Sequence, residues 1–330
     1  MAEYQNNTKG EKVKITDGIY GTFSIGEPVI IDLINSPAMQ RLKDISQLGI
    51  PDRYYHLKGF SRYDHSIGVF LLLRSHKASI AEQIAGLIHD ISHTPFSHVI
   101  DWVINGKGGE ELHQDDRHAE FLHNSEIPGI LASYGISIDV ILENDFGLLE
   151  REIPDICADR IDYALREFSN DDAHYCLNHL TVRNGSFAFD TMRSARLFAI
   201  RFLERQERNW GSYEATSRYK NFAEMFRYAV ESNILSIEEL LNGKETAIIE
   251  KLESAEDWRI RLALFKMTAK SLDGHPIRET PEIKKFRHVD PLFVLHRKLV
   301  RLSDADPGFK ELLEAARERN KKGVRTAIIF

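Results

Sequence analysis

Residues 83–98 read Gln-Ile-Ala-Gly-Leu-Ile-His-Asp-Ile-Ser-His-Thr-Pro-Phe-Ser-His. Together with the residues just before it, this stretch carries Ile80, Ile84, Leu87 and Ile88 at the 3.6-residue period of an amphipathic helix. Ser79 stands where an N-cap belongs, since a serine oxygen accepts from backbone N–H groups the first turn leaves unpaired. The helix is expected to end at His89-Asp90, because Thr94-Pro95 disfavours its continuation. An imidazole and a carboxylate thus close an apolar, buried helix, where each needs a partner to offset its desolvation. A divalent cation satisfies both, and neighbouring helical side chains about 100° apart reach one ion between them. Two further ligands are needed, and His65 and Asp159, the latter inside Ala158-Asp-Arg-Ile-Asp-Tyr163, are the candidates.

Taken singly, each of these histidines reads better as a satisfied helix-end residue than as a ligand. The joint pattern of two imidazoles and two carboxylates reverses that reading. Such a set suits a divalent Mn, Fe, Co, Ni or Zn ion, with Mg a weaker match. An ion with open positions acidifies bound water and polarises phosphorus, so phosphate-ester hydrolysis is the expected reaction class.

Outward from this centre the chain reads as mainly α. Lys12 to Ile25 alternates around Asp17-Gly18 and Gly21 as a short hairpin, and Asn184-Gly185 marks another between 180–182 and 187–189. Ser36-Pro37 opens a helix expected to run to Gly49, a further helix starts near Asp64, and Pro154 to Phe168 reads as a helix with proline in its first turn. The polar, glycine-rich stretch 105–116 reads as a surface loop. From Thr191 to Ala269 the pattern is amphipathic helix again, and beyond Gly274 the proline spacing predicts shorter elements.

Composition narrows the class. Hydrophobic residues make up 42% and charged residues 28% of 330, which excludes disordered and fibrous chains. A net charge of −7 argues against a surface devoted to nucleic acid. Cys157 and Cys176, the only cysteines, exclude a disulfide framework, and no apolar run has membrane-spanning length, so a cytoplasmic protein without membrane contact is expected. Residues 258–330 carry 17 Lys/Arg against 9 Asp/Glu. They are read as a basic, mainly helical extension to a catalytic unit spanning 1–257, and as either a solvated face or a surface for polyanions.

Ser61-Arg-Tyr-Asp-His65-Ser-Ile-Gly, Gln83 to His98, and Ala158 to Tyr163 resemble the HD-domain phosphohydrolases, nearest the deoxynucleoside triphosphate triphosphohydrolase branch. Ile15 to Thr22 and Ser36 to Gly49 match that branch in order and spacing, so the resemblance covers roughly 13–235. It implies an HD-type helical fold with one or two small hairpins, and His65, His89, Asp90 and Asp159 as ligands of one or two divalent ions. It also implies that Arg62 and Arg160 hold phosphate, that His118 acts beside the leaving group, and that His93 faces the α-phosphate. Gln47 and Leu48 are implied at the sugar, with Tyr163 beneath the deoxyribose crowding out a 2′-hydroxyl. Glu167 stands where the family carries an aspartate at the 3′-hydroxyl, one methylene longer.

The expected activity is metal-dependent hydrolysis of a deoxynucleoside triphosphate to deoxynucleoside and triphosphate. Its rivals are an HD-type nucleotide phosphatase or phosphomonoesterase, and a nucleotide sensor or nucleic-acid-binding protein using the basic extension. A homo-oligomer is a further expectation from the resemblance.

Overall fold

The computed structural model describes residues 3–5, 12–105 and 112–330. The architecture is mainly α, with two small sheets. The strands Val13–Asp17 and Gly21–Ile25 pair antiparallel, with Glu3–Gln5 on the outer edge. Val13 and Ile15 are buried while Lys14 and Thr16 face solvent, the alternation a half-buried strand requires. Gly21, at φ +80°, takes the left-handed conformation that closes the turn. Asp17 accepts from the backbone N–H groups of Ile19 (2.9 Å) and Tyr20 (3.2 Å) across it.

Three buried helices hold the centre: Arg62–Ser75, Ile80–Ile88 and Ala158–Glu167. Ser61 and Asp64 form a capping box, each side chain accepting from the other's backbone N–H, so the first helix begins two residues before Asp64. Ser79 caps the second, its hydroxyl accepting from Glu82 N–H at 3.1 Å. These helices pack closely at Gly86, where a Cβ would lie 2.4 Å from Leu73 Cδ1.

Three local expectations are corrected. The helix from Ser36-Pro37 stops at Arg41 and passes through a 3₁₀ turn, Leu42–Asp44, instead of reaching Gly49. Pairing with the next loop wins over helix propensity: Arg62 N–H donates to Ile45 O (2.8 Å) and Gln47 N–H to Phe60 O (2.9 Å). The helix expected from Pro154 begins at Ala158, whose N–H donates to Leu148 O at 2.7 Å. Of the stretch 105–116 read as a loop, Asn105 ends the helix Ser97–Asn105, residues 112–116 open the helix Leu112–Asn124, and residues 106–111 lie outside the described residues.

The second sheet contains the expected hairpin, Leu180–Arg183 with Ser186–Phe189, turning at Asn184 and Gly185. A second hairpin, Leu292–Leu295 with Lys298–Arg301, joins it through a parallel pairing of Phe189 with Phe293. His296 and Arg297 occupy its left-handed turn positions at φ +48° and +66°, so no glycine signals that turn. Before this hairpin runs an extended segment whose carbonyls at Lys284 and Lys285 accept from Asn320 Nδ2 (2.8 Å) and Gln206 Nε2 (3.3 Å). Among the described residues no helix is long and apolar enough to cross a membrane.

Candidate metal centre

The N-terminal turn of the helix Arg62–Ser75 supplies His65, the C-terminal end of the helix Ile80–Ile88 supplies His89 and Asp90, and the first turn of Ala158–Glu167 supplies Asp159. His65 Nε2 lies 3.0 Å from Asp159 Oδ1 and 3.2 Å from His89 Nε2, and His89 Nε2 lies 3.6 Å from the same carboxylate oxygen. Asp90 comes within 3.8 Å of His65 Nε2 and 3.6 Å of His89 Nε2. Ligand atoms about 2.1 Å from a common ion stand about 3 to 3.4 Å apart; the two contacts of His65 Nε2 with Asp159 and His89 fall in that range, and the others are a few tenths of an ångström wider.

Hydrogen bonding fixes which nitrogens point inward. The Gly86 carbonyl can only accept, so His89 Nδ1 donates to it at 2.8 Å and Nε2 is left with the lone pair. His65 Nδ1 meets Asp162 Oδ2 at 2.7 Å, and the same tautomer follows. Two imidazole lone pairs then face each other across 3.2 Å beside a carboxylate. That arrangement needs a cation between its members. Burial opposes charge on His65, yet Asp159, Asp162 and Asp90 together raise its pKa to about 10, so without the ion a proton takes the cation's place. Burial likewise opposes ionisation of Asp90, and Arg62, His93 and His89 hold it well below the usual carboxylate range. The donor set fits a divalent ion held by His65, His89 and Asp159, with Asp90 adjoining.

Behind His65 a chain of charges reaches the N-terminal hairpin. Asp162 Oδ2 accepts from Arg166 Nε at 2.8 Å, and Arg166 Nη2 donates to Asp17 Oδ2 at 2.9 Å. Gly68 makes room for it, since a Cβ there would fall 2.0 Å from Asp162 Oδ1 and 2.1 Å from Arg166 Nη2. Asp162→Ala should therefore weaken divalent metal binding about 10- to 100-fold, read by titrating Mn²⁺ into the metal-free protein; unchanged affinity would show that this chain does not orient His65.

A cavity of about 680 Å³ opens on this centre. His65 is fully buried, and the other site residues expected from the sequence all line the cavity. His93 Nε2 lies 3.0 Å from Asp90 Oδ1, and burial together with Arg62 lowers its pKa to about 4. His118 Nδ1 sits 3.1 Å from Ser92 Oγ. Tyr163 packs edge-on against Trp210, ring centres 5.4 Å apart, and Trp210 and Asn209 donate to Glu167 at 2.7 and 2.6 Å. Gln47 and Leu48 line the same cavity, and the Leu48 carbonyl accepts from the Tyr219 hydroxyl at 2.8 Å.

Both arginines expected at phosphate are engaged within the protein. Arg62, 2% exposed, donates to Asp90 Oδ2 (2.6 Å) and Ser97 Oγ (2.8 Å). Arg160 donates to the carbonyls of Arg151 and Asp155 and pairs with Glu150 at 3.2 Å. Glu150 and Cys157 also cluster with Asp159, but burial pushes the Cys157 thiol far up and so opposes the thiolate a metal requires. Sequence reasoning missed the support from Asp162, Arg166 and Asp17; the four-residue spacing of Asp162 and Arg166 on one helix was its only local sign.

The family pattern described as HD domain matches residues 62–166. An uncharacterized protein of Bacillus subtilis, YdhJ, is 32% identical over 326 residues, 96% of this chain and 99% of that protein. The metal-dependent phosphohydrolase cns2 of Cordyceps militaris is 30% identical over 291 residues, 84% of each. The human deoxynucleoside triphosphate triphosphohydrolase SAMHD1 is 31% identical over 168 residues, 43% of this chain and 26% of that protein. The crystal structure of a hypothetical protein from Aquifex aeolicus superposes with a TM-score of 0.62 at 17% identity, covering 96% of this chain and 99% of that one.

Proposed function

The chain belongs to the HD-domain metal-dependent phosphohydrolases, and from that premise we propose that it hydrolyses deoxynucleoside triphosphates at the α-phosphate, releasing deoxynucleoside and intact triphosphate. The observation that carries this reading is one cavity lined by His89, Asp90 and Asp159 of the ligand set, by His93 and His118, and by Gln47, Leu48 and Tyr163, read here as a wall for the sugar. A phosphatase indifferent to its alcohol has no use for such a wall. The partial match to a deoxynucleoside triphosphate triphosphohydrolase supports the same substrate class.

His65, His89, Asp90 and Asp159 hold the ion. When bound, a divalent ion there supplies Lewis-acid polarisation and a more acidic water. Asp162 and the Gly86 carbonyl keep both imidazoles turned inward. Arg62 keeps Asp90 ionised and in place. Water adds to the α-phosphorus and releases one proton to solvent, the bond from phosphorus to O5′ breaks with its electron pair leaving on O5′, and protonated His118 delivers a proton to that oxygen. His93 faces the α-phosphate, Tyr163 lies beneath the deoxyribose, and Glu167, braced by Asn209 and Trp210, accepts from the 3′-hydroxyl.

The test is a panel of deoxy- and ribonucleotides incubated with Mn²⁺ and resolved by mass. Deoxynucleoside triphosphates should be consumed and ribonucleotides spared, because Tyr163 crowds the 2′ position. Preferred hydrolysis of mononucleotides would overturn the reading in favour of a phosphomonoesterase.

A further inference from the structure

We propose that Glu245, in the first turn of the helix Glu245–Ser254, is a positioning residue that sets the sugar selectivity of the site, its buried carboxylate tying the Gln47-Leu48 stretch to the turn that carries His93. The proposal rests on the deoxynucleotide reading above and deepens it by naming what holds the sugar pocket to its width. Both stretches, 45–49 and 93–98, line the cavity through Gln47, Leu48, His93 and His98. Up to Phe96 they are irregular apart from one bridge between Ser46 and Ser61, so no ladder or shared helix fixes their separation. They nevertheless meet closely. Gly49 takes φ +71°, and a Cβ there would lie 3.1 Å from His98 Cβ and 3.3 Å from the His98 backbone nitrogen.

Glu245 supplies the missing tie from a position about 150 to 200 residues away in sequence. Its Oε1 accepts from the backbone N–H of Ser46 at 3.1 Å and from that of Phe96 at 3.0 Å, and its Oε2 accepts from the Ser46 hydroxyl at 2.6 Å. A single carboxylate oxygen thus joins the residue before Gln47 to the residue before Ser97, the serine to which Arg62 donates. Phe96 is the point on which this matters most. It sits at φ +53°, an unfavourable conformation for a bulky side chain, and its ring packs against Phe226 and Phe222 with centres 4.8 and 6.2 Å away. Its carbonyl accepts from Val99 and Ile100 N–H and so starts the helix Ser97–Asn105, which brings Asp101 and Trp102 to the cavity. A second tie is independent of Glu245: Arg41 Nη2 donates to the carbonyls of Ile91 and His93, each at 2.8 Å. Without the Glu245 carboxylate the two stretches therefore stay tethered at Arg41 and spread at Ser46 and Phe96, which loosens the pocket on its Gln47-Leu48 side. Burial pushes the Glu245 pKa up despite its three donors, so glutamine, a neutral acceptor of the same shape, is expected to keep the fold.

The test compares Glu245→Ala and Glu245→Gln with the wild type, each as the full chain loaded with Mn²⁺. Amide hydrogen exchange reads the tie itself. The amides of Ser46 and Phe96 should exchange at least about tenfold faster in Glu245→Ala and near the wild-type rate in Glu245→Gln, whose Oε1 still accepts from both. Turnover of a deoxynucleotide and of its ribonucleotide counterpart reads the consequence. The deoxy-over-ribo ratio of kcat/KM should fall roughly tenfold or more in Glu245→Ala, with Mn²⁺ affinity unchanged, and Glu245→Gln should restore it. A merely structural role would lower the melting temperature of Glu245→Ala and leave the ratio of its folded, metal-loaded fraction at the wild-type value, and that result would overturn the proposal. So would wild-type exchange at both amides in Glu245→Ala. If the wild type frees orthophosphate instead of tripolyphosphate, the triphosphohydrolase reading falls, and the same ratio on the nucleotide it does hydrolyse decides the role of Glu245 separately.

Discussion

Asp159→Ala is expected to yield a protein that holds no divalent ion in the centre and hydrolyses substrate at least about 10⁴-fold more slowly, because Lewis-acid stabilisation worth several kcal/mol disappears. Asp159 Oδ1 faces the inward nitrogens of both imidazoles, 3.0 Å from His65 Nε2 and 3.6 Å from His89 Nε2. Without it the two inward lone pairs face each other with only Asp90 nearby, and Asp90 already serves Arg62 and His93. Metal content of the dialysed variant and its Mn²⁺-dependent turnover should fall together. A variant that keeps wild-type turnover would mean another carboxylate completes the centre.

His118→Ala has the opposite signature. The variant should bind metal as the wild type does and lose about 10² to 10⁴ in kcat, the usual loss when a placed general acid is removed. His118 lines the cavity at the start of the half-buried stretch of helix Leu112–Asn124, 3.1 Å from Ser92 Oγ, and belongs to no ligand cluster among the described residues. Single-turnover rates with metal content measured on the same samples separate the two roles. Loss of the ion would assign His118 to the centre's support instead of to the leaving group.

Much of the candidate metal centre was legible because its residues sit at helix ends, where caps and prolines mark position in the chain. Ser79 and Pro95 bracket His89 and Asp90, and the helix start read near Asp64 lies within one turn of the Ser61 cap that precedes His65. Both glycine-marked hairpins were readable for the same reason, since Gly21 and Gly185 occupy φ values that glycine tolerates without penalty. What escaped depends on contacts distant in sequence. Gln47 and Leu48 left the expected helix because Ile45 and Gln47 pair with the strand-like approach to Arg62. The hairpin at His296-Arg297 carries no glycine, and tertiary pairing of Phe189 with Phe293 holds it. The bracing of His65 by Asp162, Arg166 and Asp17 joins positions up to 149 residues apart, which no local pattern announces. The fold adds to the reading of Arg62 two internal partners that its motif does not announce, Asp90 and Ser97.

Hydrolysis of a deoxynucleoside triphosphate in oxygen-18 water tests the central claim most directly. Attack at the α-phosphorus predicts label in the liberated tripolyphosphate, unlabelled deoxynucleoside, and no early orthophosphate. Label appearing first in orthophosphate, with deoxynucleoside diphosphate as the companion product, would contradict it.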